Sequence, residues 1–201
     1  MAPRPAAPGG PALLALLAAI ALFELGSFLY LRHASRDFVA AELERQLAPY
    51  VLGTPVPAVD RAAGRLYGWA RPDHGAVWTD RSEAGLGIRF AEQPSAALEL
   101  RARVTAFTHP GKLPQRVVDV LVNETPVARW TFTDARETER TATIRPELVP
   151  PSGRIRVRFR VGDTRSPASL GAGPDDRPIG MLLHEWVVVP SADDRPATAR
   201  G

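Results

Sequence analysis

Residues 154–161 read "RIRVRFRV", with Ile155, Val157, Phe159 and Val161 alternating against Arg154, Arg156, Arg158 and Arg160. Successive side chains of a strand point to opposite faces, so this stretch predicts a β-strand with one buried and one wet face. The run "ALELRARV" at 97–104 repeats the pattern, with Leu98, Leu100, Ala102 and Val104 turned inward. In "RVVDVLVNETPVARWTF" at 116–132, two β-rich runs flank Asn123, Glu124, Thr125 and Pro126, residue types suited to a hairpin turn. Further strands are expected at 76–79, 86–90, 140–144 and 181–189. Short strands broken by Pro and Gly turns, with no strong helix among them, predict a mainly β fold. The form expected is an antiparallel jelly-roll-like β-sandwich.

Upstream the period changes. Residues 12–31, "ALLALLAAIALFELGSFLYL", are apolar apart from Glu24, Gly26 and Ser27. Twenty residues at ~1.5 Å each reach ~30 Å, the thickness of a hydrocarbon core, which predicts a transmembrane helix. A cleaved signal peptide is the rival reading, but no small-x-small site follows Leu31. Arg4 precedes the segment and Arg32 and Arg36 follow it, so charge gives no firm orientation. A carboxylate in lipid costs a few kcal/mol, roughly, and therefore protonates or faces a partner; Glu24, Gly26 and Ser27 are the expected partner-helix contacts. Residues 32–50 keep a helical rhythm, with Phe38, Val39, Leu43 and Leu47 forming an expected juxtamembrane interface. The prolines of "GTPVPAV" then favour an extended linker over 51–63. The expected layout is a tail at 1–11, the span at 12–31, the amphipathic helix at 32–50, the linker, a sandwich at 64–190 and a flexible tail at 191–201.

Composition excludes some chemistry. The chain has 201 residues, 45% of them hydrophobic, enough for one ordinary domain with extensions. It has no cysteine, which removes disulfides, thiolate zinc sites and thiol catalysis. Lys112 is the sole lysine, and basic and acidic residues are interspersed at a net charge of +3, a poor match to a nucleic-acid surface. His33, His74, His109 and His184 sit in unrelated contexts, and neither a Gly-x-Ser-x-Gly elbow nor a His-Glu-x-x-His motif occurs. No enzyme, cofactor or metal is expected.

Three stretches carry a resemblance: "GWARPDHGAVWTDRSEAGLGIRF" at 68–90, "LPQRVVDVLVNETPVARWTF" at 113–132 and "SPASLGAGPDDRPIGMLLHEWVV" at 166–188. Their order resembles the jelly-roll-like sandwich of unknown function attached to bacterial membrane glycosyltransferases and other envelope proteins, over residues 64–190. The resemblance implies an envelope location and contact with glycans. No glycosyltransferase region or multi-pass portion accompanies the sandwich here.

A sugar site would combine an aromatic face with hydroxyl-binding polar groups. Trp69, His74 and Trp78, with Asp73 and Asp80, are candidates, although tryptophans in sandwiches commonly serve the core. In the loop 166–178, Asp175, Asp176 and Arg177 are further candidates; the competing reading is a sheet-to-sheet crossing in which Asp caps turns. The loop lacks the ligand spacing of a calcium loop and the Gly-Lys-Ser/Thr ending of a phosphate loop. The arginines of 154–160 are read as a solvated face, with anionic lipid, acidic glycan or a partner's acidic face as alternatives, or with both faces covered and the ladder part of an interface.

Two functions follow. The first is a non-catalytic, single-pass accessory subunit in a bacterial inner membrane, its periplasmic sandwich docked on a larger integral membrane complex of respiratory, photosynthetic or envelope-synthesis type. The alternative is a carbohydrate-binding module serving an envelope glycosyltransferase or polysaccharide exporter.

Overall fold

The alternation at 154–161 becomes the central strand of one sheet of a two-sheet sandwich. The computed structural model describes residues 10–60 and 63–192, apart from the side chains of residues 10–12, 29 and 31–37. Its elements are α1 (Gly10–Arg45), β1 (Val56–Pro57), β2 (Arg65–Tyr67), β3 (Val77–Trp78), β4 (Glu83–Arg89), β5 (Leu98–Ala106) and β6 (Arg116–Val122). There follow β7 (Thr125–Phe132), β8 (Thr138–Ile144), a 3-10 turn (Pro146–Leu148), β9 (Arg154–Arg160), α2 (Pro167–Leu170) and β10 (Met181–Pro190). The tails expected at 1–11 and 191–201 lie largely outside the described residues.

One sheet runs β1-β10-β5-β8, with β3 also paired to β10, and the other runs β2-β4-β9-β6-β7. Every pairing is antiparallel and the pairs nest: β3 with β10, β4 with β9, β5 with β8, β6 with β7. Nested pairs are what a long folded ribbon gives when it rolls up into two sheets, so the pairing itself makes this a jelly roll. Between the sheets, Leu86, Ile88, Ile155, Val157 and Phe159 face Leu100, Val104, Leu183 and Val188, all essentially inaccessible to solvent. Each such side chain contributes about 1.5–3 kcal/mol by leaving water.

The β6–β7 hairpin turns in two residues rather than four. Asn123 and Glu124 both have positive φ, 45° and 72°, and Val122 already pairs with Thr125. A two-residue turn of that hand matches the strand twist. Asn123 also ties the turn to β9: its amide nitrogen donates to Arg156 O and its Oδ1 accepts from Arg156 N, both at 2.9 Å.

The outer face of β9 is largely covered at Arg156 and Arg158, while Arg160 remains exposed. Arg158 is 13% exposed and donates to Glu83 at 2.6 Å and to Glu124. Arg156 donates to Glu44 at 2.5 Å and Arg160 to Glu83 at 3.4 Å. The alternating run does not reveal these carboxylates, because they arrive from the end of α1, from β4 and from the hairpin turn.

The chain divides into two compact units, Met1–Ala41 and Glu42–Gly201. In the second, the segment after α1 straps the sandwich. Leu47 lies over Gly87 and its carbonyl accepts from Arg89; Tyr50 exchanges backbone hydrogen bonds with Arg89 and Ala91. The Tyr50 hydroxyl donates to Thr54 O at 2.8 Å and accepts from Val188 N at 2.9 Å, and burial pushes its pKa up. Part of the stretch read as a linker therefore forms β1 on the edge of β10.

The helix expected to run on from 12–31 to about Leu47 is one element, α1, which ends at Arg45. The expected transmembrane span has no support from this helix: among the described residues no helix is long and apolar enough to cross a membrane. The reading of 12–31 includes side chains outside the described set.

Gly68 has φ +74°, and a Cβ there would meet Glu83 O at 2.1 Å, whereas a Cβ on Gly87 meets only the methyl ends of Leu47 and Leu66. We expect Gly68→Ala to cost at least about 2 kcal/mol and Gly87→Ala clearly less, as read by urea denaturation in mild detergent.

Candidate functional site

β2 is an edge strand, paired only with β4, and the register shifts between Arg65 and Tyr67. Because Gly85 and Gly87 carry no side chains, the outer surface of β4 can be overlaid. The Tyr67 ring lies against Gly85, and Leu66 meets Leu47 above Gly87. Tyr67 donates its hydroxyl to Glu83 Oε1 at 3.0 Å. Trp69 donates its indole N–H to Gly85 O at 2.7 Å and meets Phe159 edge-on at 6.0 Å. Both rings are thus fixed while keeping part of their surface exposed. Arg65, Leu66, Tyr67 and Trp69 line a groove of about 270 Å³.

Arg65 is half-buried, burial lowers its pKa, and no carboxylate among the described residues pairs with it. For Arg158 burial likewise works against the charge, but Glu83 and Glu124 outweigh it and raise the pKa. Arg116, 3% exposed, sits among the carbonyls of Phe107, Val161 and Asp163; burial lowers its pKa and the charge of Asp163 partly restores it. No sequence motif marked either Arg65 or Arg116.

The residues singled out from sequence are only partly brought together. Trp69 lines the groove. Trp78 lies on β3, in the other sheet, paired with Leu182 of β10. The backbones of the two approach, since Ala70 N donates to Trp78 O at 2.8 Å. His74 has φ 46° and a side chain 98% exposed. Asp73 lies 3.8 Å from Arg177, which joins the 71–76 loop to the 166–180 loop.

That second loop runs from β9 in one sheet to β10 in the other, the crossing expected for it. It contains the short helix α2, which composition did not reveal: Ser166 accepts from Ser169 N, and Gly171, at φ 72°, ends the helix. Asp175 accepts three bonds from the Arg177 guanidinium, Nε reaching both carboxylate oxygens, and one from its backbone N–H. The guanidinium and that backbone bond hold the Asp175 carboxyl down at about 2. Asp176 is exposed.

On α1, Glu24 and Gly26 are exposed, and Gly26 and Ser27 form a notch between Phe23 and Tyr30. Phe38 and Val39 are exposed at 70% and 53% and Leu43 at 37%, whereas Leu47 docks on β4. A polar cluster not foreseen lies on the outer face of the β10 sheet: His184 Nε2 is 3.0 Å from Thr105 Oγ1 and 3.6 Å from Glu137, which also holds Arg103 at 3.0 Å. His184 falls at the register shift of β10, a feature that becomes visible only once the strands are paired. Among the described residues no group of three or more His, Asp or Glu side chains is placed to hold a metal ion.

No family model matches the chain, and no curated protein does. Solved structures of similar outline exist. The GH26-CBM35 β-(1,4)-mannanase of Podospora anserina is 13% identical, over 72% of this chain and 28% of that one, at a TM-score of 0.42. The carbohydrate-binding module CBM36, solved with calcium and xylotriose, is 15% identical, over 69% and 99%, at 0.40. The insecticidal δ-endotoxin Cry8Ea1 of Bacillus thuringiensis is 12% identical, over 69% and 24%, at 0.46. The chain therefore spans under a third of the mannanase and of the endotoxin. The jelly-roll assignment rests on the nested strand pairs, not on these likenesses.

With Asp175 depressed by Arg177, the charged form of the pair persists above an ordinary carboxylate pKa and is lost only as pH falls through about 2. The side-chain carboxyl NMR signal of Asp175 is expected to titrate near that value, and Arg177→Gln should return it toward ~3.9.

Proposed function

We propose that the protein is a non-catalytic binding module, a jelly-roll sandwich tethered through α1 to a membrane. The supporting observation is the surface of that helix. Leu14, Leu16, Leu17, Leu22 and Phe23 are between 54% and 76% exposed. At ~100° per residue they project on all sides. A helix apolar all round is stable only in lipid or inside a larger protein. Phe38, Val39 and Leu43 continue an exposed apolar surface past the expected span. This suits docking on an integral membrane partner, with Glu24 and the Gly26–Ser27 notch facing a partner helix.

A second reading is supported by the groove beside β2. Two half-exposed aromatic rings held rigidly next to a guanidinium form the kind of mixed apolar and polar surface that takes a sugar ring. On this reading the sandwich is a carbohydrate-binding module of the bacterial envelope.

The full chain, in membranes washed with alkaline carbonate, is expected in the pellet. Replacing Leu17, Ile20 and Phe23 together by Glu, at about 2.5–3.5 kcal/mol each for charge in the helix centre, should move it to the supernatant. Unmodified chain recovered wholly in the supernatant would refute the tether. For the partner, purification in mild detergent is expected to recover a stable companion, and recovery of the chain alone would count against it.

A further inference from the structure

We propose that the groove beside β2 takes a carboxylated sugar ring, with Arg65 binding the carboxylate and the Tyr67 and Trp69 rings forming its walls. The inference rests on the carbohydrate reading of that groove and names the ligand class.

Several arginines of the sandwich carry carboxylate partners. Arg129 has Asp119, Arg156 has Glu44, Arg158 has Glu83 and Glu124, and Arg177 has Asp175. Arg65 is half-buried and no carboxylate among the described residues pairs with it. A guanidinium withdrawn from water without a counter-charge is costly, and a planar carboxylate that accepts two parallel N–H bonds offsets that cost best.

Tyr67 and Trp69 add the ring. Their polar atoms are already committed to Glu83 Oε1 and Gly85 O, so what they offer a ligand is their apolar surface. An inorganic anion would leave that surface unused. The groove, about 270 Å³, lies near the ~300 Å³ lower end of small-molecule sites, which suits one ring or the terminal unit of a chain. Glu83 bounds the ligand's orientation: it holds the Tyr67 hydroxyl and Arg158, so a ligand carboxylate is excluded from that end and directed to Arg65.

The test is calorimetric titration of the full chain in mild detergent with oligosaccharides of glucuronic, galacturonic and mannuronic acid. Each is run against its methyl ester, which keeps the ring and removes the charge, and sodium acetate is run alone. At least one acid is expected to bind ten- to a hundredfold more tightly than its ester, with Arg65→Gln abolishing the difference and Arg65→Lys retaining part of it. Acid and ester binding equally would overturn the carboxylate inference while leaving the carbohydrate reading standing. Failure of both to bind would remove both. Acetate binding as tightly as the acidic sugars would mark an anion site without a sugar and also overturn the proposal. The acid and ester comparison uses the unmodified protein, so it decides even if Arg65→Gln does not fold.

Discussion

β9 is the third of five strands in its sheet, and both of its faces are occupied. Inward, Ile155, Val157 and Phe159 close the core against the other sheet. Outward, Arg156 and Arg158 are largely withdrawn from water, and side chains from β4, from the turn of the β6–β7 hairpin and from the end of α1 converge on them. A buried cation is tolerable only when its charge is met, and the carboxylates of Glu83, Glu124 and Glu44 meet it. The same contacts fix where the covering segments lie. Neutralising the β9 arginines and positioning those segments are one constraint.

That constraint reaches the candidate site through Glu83. Its carboxylate holds Arg158 and also accepts from Tyr67, so the wall of the β2 groove is tied to the central strand. The two glycines of β4 complete the arrangement by leaving room for the Tyr67 ring and for Leu47. A binding surface on an edge strand is otherwise poorly fixed. Here each aromatic ring is held at its polar end by an atom of β4.

The sequence exposed what depends on local alternation and concealed what depends on convergence. Period-2 patterning located β5, β6, β7, β9 and β10, and the Asn123 region marked the hairpin, because each signal is confined to one strand or turn. The two-residue turn was missed because Thr125 and Pro126, turn-like by type, pair as strand residues. A covered arginine face was only an alternative to a solvated one, because carboxylates such as Glu44 lie far from Arg156 in sequence. Likewise Trp69 was visible as an aromatic candidate, but Arg65 drew no attention. What marks it is its place beside Tyr67 and Trp69 on one groove, a property of the fold and not of the residue. His74, chosen for its side chain, lies in a positive-φ turn and points into solvent. The apolar character of α1 was legible in composition, since that depends only on which residues follow one another.

A double-mutant cycle between Glu83 and Arg158 tests the central claim most directly. Glu83→Gln, Arg158→Met and the double variant would be compared by urea denaturation of the full chain in mild detergent. If the outer face of β9 is held by its carboxylates, the two changes couple by about 1–3 kcal/mol, the double variant losing much less than the sum of the single losses. Losses that add to within about 0.3–0.5 kcal/mol would mean that the pair carries no load and that the covering segments are held by something else.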